Sequence, residues 1–532
     1  MSAPAPAGAP GPVRTVCVVG SGGREHALAT VLARTADVVV TPGNPGMPGT
    51  SPEGHAITVT DAPAEQVEAD LYVIGPEVPL VDGLADRLRA QGRLVFGPGA
   101  DGARIEGSKA FMKELLAEAG VPTARFGTFD AVAPALDFLR SLPGPYVVKT
   151  DGLAAGKGVL VTASLAEAEA DVAAKLSGDA FGEAGTTVVV EEFLEGPECS
   201  LLVLCDGTRL AALAPAQDFK RRDDGDGGPN TGGMGSYSPV PGVDAALVAA
   251  LVDEAVAPLL AALRARGIDY RGVLYAGLML TPAGPRVLEF NARFGDPETQ
   301  VVLPRYDGDL AALLAEVAAG ALVTEPRFVD DAAVCVVLAA PGYPVAPRTG
   351  DPITGLEAAA ATGATVFHAG TALGPERTAM GPDGTATGPV SWNRKHHDCR
   401  HLVEFASREL FKNAMLAWQV YDPRRLDLGS DARIRIGDHI LDCTVERTHE
   451  SGDGLGILLD ERLREEDCVR VEIHAEVAVA NEAQFLRGIY AHCFRAERDR
   501  GDVAERGIDL AAHEHLLPQV GGHVRDVDFG GV

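Results

Sequence analysis

The 532-residue chain is poor in cysteine, in basic residues and in long apolar runs. Its eight cysteines form no Cys-x-x-Cys pair, which excludes a zinc ribbon and a disulfide framework and favours a reducing compartment. With 75 acidic against 46 basic residues, the net charge is −29, so we expect no binding to nucleic acid. No run of about 18 apolar residues and no N-terminal signal core occur, so we expect no membrane span and a cytoplasmic location.

What the chain does have is a globular composition, with 46% hydrophobic residues, 62 glycines and 36 prolines. Its length predicts three to four domains of about 150 residues each. The composition changes near residue 390. The segment 391–532 holds two of the 36 prolines, ten of the 13 histidines and both tryptophans, which predicts a separate module there.

Three strand-and-loop units open the chain. Residues 15–19 (TVCVV) predict a strand, and a glycine-rich turn containing Gly22 and Gly23 leads into a helix whose N-terminal amides could hold a phosphate. Glu25 occupies the third glycine position of the dinucleotide motif, so a tight turn without a ligand is the alternative. Strands 37–40 and 71–74 run into loops bearing Asn44 and Glu77. Because ligands bind at the carboxyl ends of strands in open α/β sheets, these loops predict one site.

A second block suggests nucleotide binding. Strand 145–150 carries Lys149 and leads into the glycine-rich hairpin DGLAAGKG, which could fold over a polyphosphate. Its spacing is not that of a P-loop, because Lys157 is followed by glycine. Strand 187–192 ends at two glutamates, and Glu198 follows seven residues after Glu191. These acids could bind adenine and ribose, or they could be solvated surface residues.

The third block predicts a phosphoryl-transfer centre. Residues 286–290 (RVLEF) read as a strand, on which Glu289 and Asn291 are two apart and therefore point to one face. Their oxygens could share a hard cation, with Arg293 beside it to stabilise developing charge. An edge strand with polar tips is the alternative. A long glycine-rich loop, residues 217–235, precedes this block as active-site loops often do.

The motifs VVGSGGREHAL, PGNPG, GPEVPL, VVKTDGLAAGKGV, VVEEFLEGPECS, QDFKR, GPNTGGMGSYSP, YAGLM and LEFNARFGDPETQ follow in this order. Over roughly residues 13–371 the chain resembles the phosphoribosylamine-glycine ligase (glycinamide ribonucleotide synthetase) family of the ATP-grasp superfamily. The resemblance implies an α/β fold with a Rossmann-like N-terminal domain at 13–107 and an ATP-grasp domain at 108–327, whose lid spans about 122–190. An incomplete small C-terminal domain at 328–390 and a β-rich α+β module at 391–532 complete the expected order.

The resemblance also implies an activity, the third step of de novo purine biosynthesis. ATP, glycine and 5-phosphoribosylamine would give glycinamide ribonucleotide, ADP and phosphate through a glycyl phosphate, with Mg²⁺ or Mn²⁺ as the metal. A monomer or weak dimer is expected. No nucleophilic side chain is needed, because the catalysis is positioning and electrostatics.

Residue roles follow from the same resemblance. The implied ATP-binding residues are Lys109, Lys149, Gly156, Lys157, Gly158, Glu191, Phe193, Leu194 and Glu198. The implied metal ligands are Glu289 and Asn291, and the implied catalytic residue at the transferring phosphoryl group is Arg293. The residues assigned to substrate binding are Gly22, Gly23, Arg24, Glu25, Asn44, Glu77, Asp218, Asn230, Thr231, Gly232, Gly233 and Asp296.

The resemblance ends after residue 390, where the family's Gly-Gly-Arg turn and final helix are not visible. Instead, a helix is expected at 401–418 and strands at 432–436, 439–445, 455–459, 469–479 and 485–494. The segment HHDCRH at 396–401 could hold a metal or be a surface segment, and HESGDG at 449–454 is faintly similar to the turn of cyclic di-GMP-binding PilZ domains. Two functions therefore stand open: a working ligase, or a nucleotide-binding regulatory or scaffold protein with an impaired ligase body and a C-terminal ligand-sensing module.

Overall fold

The computed structural model describes residues 11–152, 158–177, 187–223 and 227–373, and the backbone of five strands beyond them. The helices are α1 Gly23–Leu32, α2 Glu77–Val81, α3 Leu84–Ala90, α4 Ala100–Gly107, α5 Lys109–Ala119, α6 Val132–Arg140, α7 Leu165–Leu176, α8 Ala245–Leu251, α9 Ala257–Ala265, α10 Thr299–Val302, α11 Leu310–Ala319 and α12 Leu356–Ala361. The strands are β1 Thr15–Gly20, β2 Asp37–Pro42, β3 Gly49–Thr50, β4 Ala56–Val59, β5 Leu71–Ile74, β6 Val95–Phe96, β7 Phe126–Phe129, β8 Tyr146–Thr150, β9 Val159–Thr162, β10 Val188–Glu192, β11 Glu198–Asp206, β12 Leu210–Ala212, β13 Gln217–Asp218, β14 Arg221–Asp223, β15 Gly227–Asn230, β16 Gly235–Ser238, β17 Arg271–Thr281, β18 Gly284–Asn291, β19 Ala333–Ala339, β20 Pro352–Ile353, β21 Thr365–His368, β22 Thr371–Leu373, β23 Val390–Trp392, β24 Arg400–Glu404, β25 Asp431–Ile436, β26 His439–Thr448 and β27 Gly454–Leu459.

The first sheet has the order β3-β4-β2-β1-β5-β6, and all its strands run parallel except β3. Strand β1 is buried from Val16 onward, as expected for a parallel strand covered on both faces. Because β2, β1 and β5 are neighbours, the loops that follow them leave the same edge side by side. This confirms the prediction that the three loops lie together.

Two antiparallel sheets follow. Strands β7-β10-β8-β9 form one, and β12-β11-β17-β18 form the other. The two central strands of the second sheet, β11 and β17, are nearly all buried and pair along nine positions from Glu198–Met279 to Asp206–Arg271. Thr123, which precedes β7, makes a parallel bridge with Val287 of β18, so these two antiparallel sheets meet at that point.

A continuous helical segment, Ala245–Ala265, joins α8 to α9 through a π-helical turn at Val252–Val256. By length and composition alone this segment could cross a membrane, since its mean hydropathy reaches 2.0. A third of it is buried inside the chain, and its buried residues Leu259 and Leu263 belong to the same core cluster as α5. Packing in this core accounts for the apolar face.

Strands β13-β16-β19-β24-β21 form a further sheet, and β20-β23-β22 form a smaller one. The helix expected at 401–418 is wrong over residues 401–404, which form β24 and pair with both β19 and β21. Pairing to two strands at once supplies the backbone hydrogen bonds that a local helical pattern would otherwise satisfy. Residues 405–418 lie outside the described residues.

Farther along, β25, β26 and β27 form an antiparallel three-stranded sheet. The strands expected at 432–436, 439–445 and 455–459 are thereby confirmed. The expected strands at 469–479 and 485–494, most of the HHDCRH segment and the turn at 449–453 lie outside the described residues.

Candidate functional site

The glycine-rich turn after β1 is organised around a buried glutamate. The Gly22 amide, at the start of α1, donates to Glu25 Oε2 at 2.7 Å, and Arg24 Nε donates to the other oxygen at 2.5 Å. A Cβ on Gly75 would lie 2.1 Å from Glu25 Oε1, and one on Gly20 would lie 2.4 Å from its Cγ. The Glu25 carboxylate therefore fits only because Gly20 and Gly75 lack side chains, and it occupies the position where a dinucleotide fold has its third glycine.

Asn44 joins the second loop to its neighbours. Its amide nitrogen donates to the carbonyls of Ser21 at 2.9 Å and His368 at 2.7 Å. His26 Nδ1 accepts from the His368 amide at 2.8 Å, and burial, with the neighbouring His368, lowers the pKa of His26 to about 3. His26 is thus neutral at ordinary pH, and Asn44 links the ends of β1, β2 and β21.

Arg293 lies between two carboxylates that come from other parts of the chain. Its Nη2 is 2.7 Å from Glu106 Oε1, and its Nε is 3.6 Å from Glu77 Oε2. Glu106 Oε2 accepts from the Ala292 amide at 2.8 Å, so one side chain holds both the backbone and the guanidinium. Burial opposes the charge of Arg293, but Glu106 and Glu77 hold its pKa above the ordinary value. Sequence reasoning chose Arg293 and Glu77 but missed Glu106.

Lys109 begins α5 beside the glycine-rich hairpin. Ser108 caps this helix by accepting from the Phe111 amide at 3.1 Å, which places Lys109 at its first position. Lys109 Nζ donates to the Gly152 carbonyl at 2.9 Å, and Asp151 accepts from the Ala110 amide at 3.1 Å. The helix start and the hairpin entry are therefore tied together.

The lysine on β8 and the glutamate on β10 form an ion pair. Lys149 Nζ is 3.0 Å from Glu191 Oε1, and Lys113 Nζ is 3.0 Å from Glu191 Oε2. Burial raises the pKa of Glu191, but Lys149 and Lys113 outweigh this and hold it below the ordinary value. Sequence reasoning missed Lys113, although it stands one helical turn after Lys109 and so shares its side of α5.

The residues after β10 form the connection to the second antiparallel sheet. Phe193 is 43% exposed and Leu194 is half-buried. Glu198 Oε2, at the start of β11, lies 2.5 Å from Lys220 Nζ. Lys220 was not among the expected site residues, and it also lies 3.6 Å from Asp218 Oδ1. Gly158 accepts from the Thr150 amide at 2.8 Å, whereas Gly156 and Lys157 lie outside the described residues.

The candidate metal ligands share one face of β18. Glu289 pairs with Gly277 and Asn291 with Tyr275, with no register shift between them. Burial opposes ionisation of Glu289, but Lys220, Lys149, Lys109 and Arg293 outweigh it and hold its pKa below the ordinary value. A carboxylate kept charged beside an amide oxygen suits Mg²⁺ or Mn²⁺. No cluster of three or more His, Cys, Asp or Glu that could hold a metal occurs in the described ranges.

A group of polar side chains is buried beneath the long loop. Glu298 Oε1 accepts from Tyr275 Oη at 2.9 Å and from Ser200 Oγ at 3.1 Å. Burial raises the pKa of the nearby Asp218 to about 7; Lys220 opposes this, and Glu298 adds to it. Glu298 lies in the motif LEFNARFGDPETQ, two residues after Asp296, but sequence reasoning assigned it no role.

The loop itself is closed by its own contacts. Thr231 Oγ1 donates to the Lys220 carbonyl at 2.9 Å and accepts from the Gly233 amide at 3.0 Å. A Cβ on Gly233 would lie 2.4 Å from Pro297 Cδ, and Asp296 Oδ1 accepts from Gln300 at 2.8 Å. Asn230 and Gly232 flank these residues at the loop surface. The expected substrate residues 230–233 and Asp296 therefore lie next to each other.

Three domain models of one family match the chain in order. The N domain of phosphoribosylglycinamide synthetase matches residues 14–106, its ATP-grasp (A) domain residues 107–299 and its C domain residues 333–401. The phosphoribosylamine–glycine ligase of Caulobacter vibrioides is 48% identical over 367 residues, which is 67% of this chain and 86% of that protein. The Streptomyces coelicolor ligase is 50% identical over 369 residues, with the same shares covered.

Solved structures agree with these matches. The phosphoribosylamine–glycine ligase of Thermotoga maritima superimposes with a TM-score of 0.61 at 32% identity, covering 77% of this chain and 96% of that one. The biotin carboxylase domain of Hydrogenobacter thermophilus 2-oxoglutarate carboxylase gives a TM-score of 0.54 at 16% identity, covering 76% and 88%. The second likeness concerns the fold alone.

Proposed function

The chain belongs to the phosphoribosylglycinamide synthetase family, and we propose that its reaction passes through glycyl phosphate at the site around Glu289 and Arg293. The reaction is the ATP-dependent ligation of glycine to phosphoribosylamine in purine biosynthesis. The observation that carries this proposal is the pairing of β18 with β17, which puts Glu289 and Asn291 on one face with Arg293 beyond its end. Carboxylate, amide and guanidinium together suit a transferring phosphoryl group.

We assign the nucleotide to the space between the two antiparallel sheets. Lys109 and Lys149 supply cations for the phosphates, and Gly156, Lys157 and Gly158 belong to the loop that would cover them. Glu191, Phe193 and Leu194 would receive adenine, and Glu198 the ribose. The support for this assignment is that Lys109 donates to the Gly152 carbonyl, so the lysine assigned to the phosphates contacts the residue at which the glycine-rich segment starts.

Glu289 and Asn291 would hold Mg²⁺ or Mn²⁺, which would neutralise charge on the phosphates when bound. Arg293 would stabilise the charge that develops on the transferring group, because Glu106 and Glu77 hold its guanidinium in place. In the first step a glycine carboxylate oxygen attacks the γ-phosphorus and ADP leaves. In the second, the amine of phosphoribosylamine attacks the acyl carbon, phosphate leaves, and the amine loses a proton.

We assign phosphoribosylamine to the ends of β1, β2 and β5. The residues assigned to this edge are Gly22, Gly23, Arg24, Glu25, Asn44 and Glu77. The residues that would orient substrates between this edge and Glu289 are Asp218, Asn230, Thr231, Gly232, Gly233 and Asp296. The closest support is that a Cβ on Gly22 would lie 3.8 Å from Asp296 Oδ2, which brings the two groups of residues together.

An isotope experiment tests the intermediate. Glycine labelled with ¹⁸O in its carboxylate should transfer one ¹⁸O to inorganic phosphate in each turnover, because the carboxylate oxygen that attacks phosphorus leaves with it. Mass spectrometry of the released phosphate measures the transfer. Unlabelled phosphate from an active enzyme would exclude the glycyl phosphate, and no ADP from the folded protein with all substrates would exclude ligase activity.

The remaining expectations are part of the same proposal. We place the protein in the cytoplasm as a monomer or weak dimer that binds neither nucleic acid nor membrane. The domains are 13–107, 108–327 with a lid near 122–190, a small C-terminal domain, and a separate module toward residue 532. We extend the small domain beyond 390, because β24 pairs with β19 and β21. The alternative, a nucleotide-binding regulatory or scaffold protein with an impaired ligase body, is not favoured.

A further inference from the structure

Lys113 is a lysine with no exposed surface, in the middle of α5. Its ammonium donates to Thr123 Oγ1 at 2.7 Å and to Glu191 Oε2 at 3.0 Å. The Thr123 hydroxyl donates in turn to the Val287 carbonyl of β18 at 2.6 Å. One ammonium therefore links α5, the end of β10 and the strand that carries Glu289.

Glu191 is shared between two lysines that differ in exposure. Its Oε2 faces Lys113, whose side chain is 0% exposed, and its Oε1 lies 3.0 Å from Nζ of Lys149, whose side chain is 10% exposed. Of these two lysines, only Lys149 therefore has exposed surface through which it can contact a bound molecule. Lys113 is too deep to touch one.

The charges of Lys113, Glu191 and Lys149 together determine how strongly Lys149 can attract a phosphate. Two ammonium groups and one carboxylate leave a net charge of +1. Without Lys113, the carboxylate and Lys149 would neutralise each other, and Lys149 would attract a phosphate only weakly. A buried charge is also costly unless it is paired, so the Glu191 carboxylate would then depend on Lys149 alone of these two lysines.

We propose that Lys113 is a positioning residue for the nucleotide: by holding Glu191 it leaves the charge of Lys149 available to the polyphosphate of ATP. This inference rests on the proposed function, in which Lys149 contacts the phosphates. Lys113 acts through Glu191 and Lys149 and touches no substrate.

The protonation of Lys113 gives the proposal a pH signature. Burial lowers the pKa of Lys113 to about 8; Glu191 and Glu289 oppose this, and Lys149 adds to it. Among the described residues, the uncharged groups that face it are the Thr123 hydroxyl and the Phe126 ring, whose centre is 5.7 Å from Nζ. Because the pKa is lowered, the ammonium is present below about pH 8 and is lost as the pH rises through that value.

The main test is Lys113→Met, which keeps the length and removes the charge. We expect the Kd for ADP with Mg²⁺, measured by calorimetry at pH 7, to rise about tenfold or more. The value of kcat at saturating ATP should change less than Kd. Lys175→Met is the matched control, since Lys175 is also buried and pairs with Asp171 on α7. Its Kd should stay within twofold of wild type.

A pH series on the wild type supplies a second measurement that does not depend on a variant's folding, and the same series on Lys113→Met gives the comparison. Wild-type Kd for ADP should rise between about pH 7 and 9.5, and this rise should be absent in Lys113→Met. A wild-type Kd that is constant over this range overturns the proposal. A folded Lys113→Met with wild-type Kd, or with the wild-type pH dependence, does so as well.

Lys149→Met distinguishes this proposal from the nucleotide assignment on which it rests. If Lys149→Met binds ADP like the wild type, the assignment of the phosphates to Lys149 is wrong. If Lys149→Met binds weakly but Lys113→Met binds normally, only the role of Lys113 is wrong.

Discussion

Glu106→Gln tests how strongly Arg293, the proposed catalytic residue, depends on a residue that is distant in sequence. Glu106 uses one oxygen for Arg293 Nη2 at 2.7 Å and the other for the Ala292 amide at 2.8 Å. Glutamine has nearly the same shape, but only one of its two terminal atoms accepts a hydrogen bond. The variant therefore loses the negative charge and one of the two contacts.

The structure sets the size of the effect. Two unit charges 2.7 Å apart attract by about 6 kcal/mol at an effective dielectric constant of about 20. Burial offsets much of this: it raises the pKa of Glu106, with Glu77 adding to the rise and with Arg293 and the Ala292 amide opposing it. Since a raised pKa means that folding disfavours the charged form, this carboxylate stabilises the fold less as the pH rises through that pKa. We therefore expect the free energy of unfolding at pH 7 to change by only about 1–2 kcal/mol.

The effect on catalysis should be larger. Without Glu106, the ion-pair partner that Arg293 keeps among the described residues is Glu77, whose Oε2 is 3.6 Å from Nε, and the guanidinium should turn toward it. Loss of a group aimed at developing charge costs about 10²–10³ in rate, so we expect kcat/KM to fall by that factor. The assay is ADP release with glycine and freshly made phosphoribosylamine, together with thermal unfolding.

Glu118→Gln is the matched control. Glu118 lies 2.6 Å from Arg266, but these side chains are 57% and 32% exposed, so their pair contributes little. Neither stability nor kcat/KM should change measurably. A folded Glu106→Gln with kcat/KM within threefold of wild type, or an equal loss in Glu118→Gln, would refute the argument.

Three further predictions follow from the site. Glu289→Ala should abolish turnover through lost metal while metal-free ADP binding persists in calorimetry, and near-normal turnover would contradict the ligand assignment. Gly75→Ala should raise KM for phosphoribosylamine but not for ATP, because the new Cβ would lie 2.1 Å from Glu25 Oε1; equal changes in both KM values would argue against two separate sites. Asp218→Asn should melt higher than wild type at pH 8 but not at pH 4, because burial raises the pKa of Asp218 to about 7 and stability is lost as the carboxylate ionises; an equal difference at both pH values would rule out this titration.

Much of the body could be predicted because its signals are local. Apolar runs such as residues 15–19 and 71–74 predict strands, and two-residue spacing puts Glu289 and Asn291 on one face. The loops at three strand ends could be assigned to one site for the same reason, since parallel strands share an edge. Residues 401–404 show the limit: their local pattern resembles a helix, but pairing with two strands decides otherwise.

The sequence by itself determined many of the strands, the order of the motifs and some of the charged side chains of the candidate site, such as Lys149 and Arg293. Only the tertiary structure decided which of those charges are buried and paired. Lys113 meets Glu191 across 78 positions, and Glu106 meets the Ala292 amide across 186. Such contacts leave no periodic trace, because they depend on how separate elements pack. Their energies depend on the exclusion of water that packing alone creates.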